Sequence, residues 1–455
     1  MRKHTNQPTA VDLFAGAGGL AEGLLAAGID VAVAVESHPH PALTHAFNHP
    51  GTTVLCGDIR KITARQIRDQ LKKNTGRRQP DIVVGGPPCQ GFSVAGKRNR
   101  TDPRNKLLEQ YVRLISQLNP QVFVFENVPG LYKLYGGRTL YRLLDQLWHL
   151  GYRFYGMDND DEYYPTQYPT FVASEFGVPQ KRRRLVLIGS KCERIEELKF
   201  ARRSGKAVSV ESAIGDLSFL HGGLETHEYQ IRATTAYQRS RRSNSGFLFN
   251  HLTTKHRKET VSAFKHFKPG DTVNCLPARF RTKKQRVLRL RPNDVAPAVL
   301  ALPDDYIHPS LNRILTVREM ARLQSFDDDY VFFGKRTTSD KNRRVDVPQY
   351  TQVGNAVPPL LARALGIAIL NVLNCDSVDI RNLKERRIRH EWIVGSSSFH
   401  GYELLPDAAE QIDLIPVKTE LPMIPISTDG CPISLGESGI EDWTKRRSTG
   451  FGRAA

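Results

Sequence analysis

Thr9-Ala10-Val11-Asp12-Leu13-Phe14-Ala15-Gly16-Ala17-Gly18-Gly19 is the stretch that decides the fold. Thr9 to Phe14 is apolar apart from Thr9 and Asp12 and reads as a buried strand, and the glycines after it read as a turn. Residues 20–27 then read as a helix stopped by Gly28, and Val31-Ala32-Val33-Ala34-Val35 as a second strand that ends at Glu36. Strand, glycine turn, helix and strand make a nucleotide-binding βαβ unit. Glycines let the backbone come close to a ligand, and an acid at the tip of the second strand accepts hydrogen bonds from ribose hydroxyls. Gly16-x-Gly18 is present, but Ala21 takes the third glycine position of the dinucleotide fingerprint. The turn therefore points to an adenosine-containing ligand in general, or to a glycine turn used only for packing.

Outward from this unit the alternation continues. A short helix around 41–47 and a strand near 53–56 lead to Gly57-Asp58-Ile59, which places Asp58 on the same edge as Glu36. There it meets an adenine amino group or caps a helix. Asp81-Ile82-Val83-Val84 is another buried strand, and it stops at Gly85-Gly86-Pro87-Pro88-Cys89-Gln90-Gly91-Phe92-Ser93. A parallel strand presents the residues after it at the carboxyl edge of the sheet, where ligands bind. Cys89 is thus a candidate nucleophile on a rigid turn, though a lone cysteine there also suits a core. Residues 91–104 are polar, basic and aperiodic, a loop suited to closing over an anionic substrate.

A helix over 105–118 carries Leu107, Leu108, Tyr111, Leu114, Ile115 and Leu118 at helical spacing. Val122-Phe123-Val124-Phe125 is the next strand and ends in Glu126-Asn127-Val128-Pro129-Gly130. An apolar strand end favours the neutral, proton-donating form of Glu126; a structural ion pair is the alternative. After a helix over 138–150 come Gly177-Val178-Pro179-Gln180-Lys181-Arg182-Arg183-Arg184 and the strand 185–189. In a strand Arg182 and Arg184 share one face, which suits phosphate or base contacts, or a solvated edge. Thr316 with Glu319 three residues on reads as a capping box. Gln352-Val353-Gly354-Asn355-Ala356-Val357-Pro358-Pro359 reads as a turn into a helix over 360–373, placed beside the first glycine turn.

The 455 residues leave room for two or three domains. No run of about 18 apolar residues suggests a membrane span, and the first eight residues do not resemble a secretory signal or leave space for a regulatory domain. The six cysteines lack C-x-x-C or zinc spacing, which fits a reduced, cytoplasmic protein without a metal site. The net charge is +18, and residues 201–290 hold 18 Lys/Arg against 6 Asp/Glu, so two thirds of the excess sits in one fifth of the chain. Such a local excess favours a polyanion over a merely solvated face. Strand–helix alternation is lost over 190–285, which reads as a separate basic domain whose aromatics Tyr237, Phe247, Phe249, Phe264 and Phe280 form a small core. Residues 376–455 hold 10 Lys/Arg and 13 Asp/Glu with scattered Pro, Gly and Ser, and read as a loosely structured extension.

Taken in order, these motifs resemble the DNA cytosine-5 methyltransferases over residues 9–373. The run from Asp12 to Gly19, Glu36, Gly57-Asp58-Ile59, Gly86 to Ser93, Asp102-Pro103-Arg104, Phe125 to Val128, Gly177 to Arg184, Leu315 to Glu319 and Gln352 to Pro359 carry the likeness. The resemblance implies an α/β fold: a doubly wound, mostly parallel, Rossmann-like sheet that binds S-adenosylmethionine. It divides the chain into 9–189 and 312–375 (catalytic) and 190–311 (target recognition), with 376–455 unmatched. It implies Cys89, Glu126, Arg182 and Arg184 as catalytic residues. For the cofactor it implies Phe14, Gly16, Gly18, Gly19, Glu36, Asp58, Ile59, Pro88, Leu107, Asn355 and Ala356. The chain departs from the family at Val172, where Asn is common, and at Ala298, where Thr is.

The implied reaction follows from the chemistry of cytosine. Its C5 is a poor nucleophile until a thiolate adds at C6. A base within a duplex is out of reach, so it must flip into the pocket. The expected partner is double-stranded DNA, bound by a bacterial or phage-type monomer, with a separately acting restriction endonuclease left open. The rivals are an RNA (tRNA) cytosine-5 methyltransferase, a nonenzymatic DNA-binding protein on this fold, and a nicotinamide oxidoreductase.

Overall fold

The computed structural model describes residues 7–88, 106–157, 168–242, 247–281, 287–337 and 346–373, with short segments at 393–395, 402–404 and 414–417. Cys89, the basic loop 91–104, and Lys283 and Lys284 lie outside the described residues. Five parallel strands, β1 (Thr9–Leu13), β2 (Asp30–Glu36), β3 (Thr53–Cys56), β4 (Ile82–Gly85) and β5 (Val122–Asn127), stand side by side in the order β3-β2-β1-β4-β5. Beyond β5 the sheet turns antiparallel: β6 (Arg153–Phe154) and β7 (Thr170–Val172) flank β9 (Arg183–Ser190), which pairs with β5, while β8 (Gln180–Lys181) stands apart from the sheet. Strand order reverses between β1 and β4, and a crevice for ligands opens at the carboxyl ends of such a pair.

Helices cover both faces because both faces of the inner strands are apolar. Val11, Leu13, Val33, Phe123 and Phe125 pack under α3 (Ala64–Thr75), α4 (Lys106–Leu118) and α5 (Arg138–His149). Ala10, Val31, Val84, Val124 and Val186 pack under α1 (Gly19–Ala27) and α11 (Pro359–Val372), and α2 (Pro39–Asn48) covers the β2–β3 side. The doubly wound α/β sheet expected from the sequence is therefore the observed one. The sequence reading leaves α3 unassigned, although Thr63 and Gln66 form a full capping box at its start. Gln349–Val372 is long and apolar enough by composition to cross a membrane, but most of it is buried within this core.

The basic insert carries α6 (Val210–Ile214), α7 (Ala236–Arg241), α8 (Lys258–Phe264), β10 (Leu288–Arg289), β11 (Ala296–Pro297) and β12 (Tyr306–Ile307). Its main core is shared. Val210, Ile214, Tyr237, Leu290 and Val299 pack in one cluster with Leu315, Met320, Leu323, Tyr350 and Val353, from α9 (Val317–Leu323), α10 (Gln349–Asn355) and the lead-in to α9. A smaller cluster around Phe264, Phe267 and Leu276 lies mostly within the insert, and Phe247 is 40% exposed rather than core.

Buried arginines add to this join. Arg322 of α9 pairs with Asp328 and reaches Asp216 (3.2 Å) and the Ala213 carbonyl (2.9 Å) in the insert. Arg313 forks onto Glu319 at 2.7 and 2.6 Å; burial alone would raise Glu319, but Arg313 draws it down to about 2. The Thr316–Glu319 capping box is present at the head of α9.

The extension was expected to be loosely structured. It holds β13 (Ile393–Gly395) paired with β14 (Tyr402–Leu404), and β15 (Leu414–Pro416), which joins the central sheet beside β3.

Candidate active site

The glycine turn sits at the carboxyl end of β1 and is shaped by backbone geometry that most residues avoid. Phe14 (φ 59°), Gly16 (φ 56°) and Gly18 (φ 85°) all have left-handed conformations. A methyl group built on Gly16 would meet nothing within 4 Å, so the turn faces open space there. Gly19 differs: a Cβ there would lie 2.4 Å from the Val357 carbonyl and 3.2 Å from Ala356. Glycine at this position is what lets the 352–359 segment lie against the turn. That segment is helical through Asn355, in α10, rather than a turn throughout; Asn355 is exposed and Ala356 half-buried.

Glu36 closes the other side. Its Oε2 accepts from the Gly16 N–H (2.9 Å) and its Oε1 from the His38 N–H (2.8 Å). Burial alone would raise its pKa, but the His38 and Gly16 contacts outweigh that and hold the carboxyl below its ordinary value. Asp58 follows β3, one strand over, where the Gly57 N–H reaches the Glu36 carbonyl at 2.8 Å. Its carboxylate is bound by Arg60, which keeps it ionised against the cost of burial. Ile59 is 4% exposed and belongs to the core, and Leu107 is half-buried against the same core. Cys56, at the end of β3, is unsuited to nucleophilic work: burial and then Glu36 push its thiol up to about 12.

A second group forms at the ends of β4 and β5. Gly86 is the close-approach residue, since a Cβ there would lie 2.9 Å from Glu126 Oε2. Asn127 Nδ2 donates to the Pro87 carbonyl at 3.0 Å and fixes the segment that enters Cys89; Pro88 is exposed. The partner of Glu126 is a guanidinium instead of an apolar wall: Arg184 Nε stands 2.7 Å from its Oε1. Arg182 does not share this exposure. It is 2% exposed and donates to the Val299 carbonyl (2.9 Å) and the Gly354 carbonyl (2.9 Å), tying the insert to the 352–359 segment. Burial, then Arg184, lower its pKa well below the usual value. Arg182 turns inward because β8 leaves the central sheet to pair with β11, so strand alternation does not carry across residue 182.

A family model described as C-5 cytosine-specific DNA methylase matches residues 9–371. The chain belongs to the C-5 cytosine-specific DNA methylase family. It is 32% identical over 406 residues to the Type II methyltransferase M.DdeI of Desulfomicrobium norvegicum, covering 83% of this chain and 93% of that protein. It is 34% identical over 371 residues to the Type II methyltransferase M1.HphI of Haemophilus parahaemolyticus, covering 80% and 87%. Among solved structures it resembles a DNA modification methyltransferase encoded within a prophage of E. coli, with a TM-score of 0.63, 26% identity, and coverage of 81% and 100%.

Within this methylase fold the sequence reading passed over four residues that shape the site. Tyr330 donates its hydroxyl to the Ala17 carbonyl, and His49, held by Glu22 at 3.0 Å, backs Gly18. Asn127 fixes the Pro87 carbonyl. Asp12 is 1% exposed, and its Oδ2 has no hydrogen-bond partner among the described residues. Only its position inside an otherwise apolar strand could have signalled it.

Burial, then Glu36, raise the Asp12 pKa well above the ordinary value. A raised carboxyl is neutral at no cost below the unfolded value of about 3.9, and its contribution is lost as pH rises toward the folded value. Asp12→Asn should therefore stabilise the free protein clearly at pH 8 and little at pH 4, because burial disfavours only the charged carboxylate. Urea unfolding at both pH values checks this; equal effects at the two would contradict it.

Proposed function

We propose that this chain transfers a methyl group from S-adenosylmethionine to C5 of a cytosine flipped out of double-stranded DNA, through a covalent adduct at Cys89. The observation that carries the reading is the convergence of Gly86, Pro87 and Pro88 with Glu126 and Arg184 at the ends of β4 and β5. Cys89 follows Pro88 directly in the sequence, and an acid–guanidinium pair such as Glu126 with Arg184 is what a thiolate addition to cytosine needs.

The cofactor fits the first group of residues. An open face at Gly16 and an acid at the tip of β2 suit a ligand that bears a ribose. Phe14, Gly16, Gly18, Gly19 and Glu36 would hold its ribose side and Asp58 and Ile59 its base, with Pro88, Leu107, Asn355 and Ala356 completing the pocket. When bound, S-adenosylmethionine supplies an electrophilic methyl group on a sulfonium.

The protein's own work is positioning and proton control. Cys89 Sγ, as thiolate, bonds C6 of cytosine and makes C5 nucleophilic. Once protonated, Glu126 donates toward N3 as charge builds on the ring, and Arg184 holds Glu126 and offers its remaining N–H groups to O2. Arg182 supports the pocket from behind rather than touching the base. After methyl transfer the C5 proton leaves to a base and Cys89 departs. The domains divide as 9–189 and 312–375 for catalysis and 190–311 for recognition, where Lys/Arg exceed Asp/Glu and phosphate contacts supply most affinity.

The basic insert and the Type II designation of the relatives favour DNA over RNA, and support a bacterial, cytoplasmic modification enzyme. Labelled methyl incorporation into duplex DNA and into tRNA tests this. Transfer to duplex alone is expected, and transfer to tRNA alone would overturn it. Glu126→Gln should lower kcat by about 10²-fold or more with donor binding within about twofold. Equal loss of both would remove the proton-donor role.

A further inference from the structure

The family match ends at residue 371, yet the sheet does not. β15 lies parallel to β3 in the register Leu414↔Val54, Ile415↔Leu55 and Pro416↔Cys56, and the Val417 N–H extends the ladder to the Cys56 carbonyl at 2.9 Å. Ile415 and Val417 pack against the core that contains Leu55, Ile59 and Ile62. Without this strand β3 would be the edge of the sheet, with its outward N–H and C=O groups unpaired. Pro416 has no N–H, a residue type confined to edges in sheets, and it suits a strand that ends the sheet.

The position of the added strand gives it a consequence for the site. Cys56 is followed directly by Gly57, Asp58 and Ile59, and the last hydrogen bond of the strap falls on the Cys56 carbonyl. From the other side Arg113 of α4 donates to the carbonyls of Ile59 (3.0 Å) and Ile62 (3.0 Å). The base-binding corner is therefore held by α4 on one side and by the C-terminal extension on the other. We propose that residues 414–417 are a positioning strap that fixes the β3 terminus, and with it Asp58 and Ile59, for the adenine end of the methyl donor. This rests on the reading of that corner as the donor site. It assigns the extension a role in donor binding rather than in DNA recognition.

The test uses the full-length chain and calorimetric binding of S-adenosylhomocysteine, which does not depend on turnover. Val417→Pro removes the N–H that reaches Cys56, whereas Val417→Ala keeps it. Val394→Pro, in β13 away from the central sheet, is the control. Val417→Pro should weaken binding about tenfold and speed amide exchange over 53–59, with duplex binding unchanged. Val417→Ala and Val394→Pro should bind within about twofold of the parent. Ile415→Ser, which leaves every backbone bond in place, should give a smaller loss and serves if the proline variant fails to fold. If the parent does not bind S-adenosylhomocysteine, the donor-site reading fails. If the parent binds and Val417→Pro or Ile415→Ser binds equally well, the strap is overturned while the donor site stands. Loss of donor and duplex binding together would reduce it to a stability element and overturn it as well.

Discussion

Cys89→Ser should abolish methyl transfer, by about 10³-fold or more, while S-adenosylhomocysteine and duplex binding stay within about twofold of the parent. A thiol is partly ionised near neutral pH, is strongly nucleophilic as thiolate, and can leave again when the C5–C6 bond reforms. A serine hydroxyl is scarcely ionised at that pH and is a poorer leaving group. The Gly86–Pro88 approach, pinned by Asn127 and packed against Glu126, does not depend on the side chain at 89, so the pocket should survive the change. Steady-state methylation with binding measured in parallel checks this. A residual rate near that of the parent would remove Cys89 as nucleophile; Cys56 could not replace it, with its thiol pushed up to about 12.

Arg322→Ala should cost about 3–5 kcal/mol, a large part of the roughly 5–15 kcal/mol that holds a typical domain together. The side chain is fully buried between Asp328 and Asp216, so truncation leaves Asp328 charged in the interior with Tyr229 as a remaining donor. Asp216 keeps Arg242 at 2.8 Å, which limits the loss. Because Ala213 and Asp216 belong to the insert and Arg322 to α9, the damage should fall first on the join between them. Urea unfolding read by tyrosine fluorescence checks the size. A change below about 1 kcal/mol would show that the network is not what joins the two.

The sequence reading and the structure agree where local pattern determines geometry. β1, the glycine turn and β2 follow from apolar runs and from glycines that adopt left-handed φ, and Glu36 follows as the strand tip that accepts from Gly16. The end of β4 at Gly85 was legible because its apolar run gives way to two glycines and two prolines. Arg182 was not, because strand alternation holds only within one strand, and β8 and β9 part at residue 182 to pair with different partners. Glu126 was read against an apolar surrounding, but its neighbour Arg184 is 58 positions away and no local pattern brings the two together. β15 escaped for a similar reason: a three-residue strand interrupted by proline has no signal of its own and becomes a strand only because β3 offers it an edge.

The central claim is that this chain methylates C5 of cytosine in DNA through a bond from Cys89 to C6. A duplex carrying 5-fluorocytosine at the methylated position tests it most directly, because fluorine at C5 cannot leave as a proton does and the adduct persists. Incubated with S-adenosylmethionine, the parent chain should form a protein–DNA complex that survives denaturing electrophoresis and maps by peptide analysis to Cys89, and Cys89→Ser should form none. A parent chain that methylates the unfluorinated duplex yet leaves no stable complex on the fluorinated one, or a complex that maps to another residue, would contradict the account.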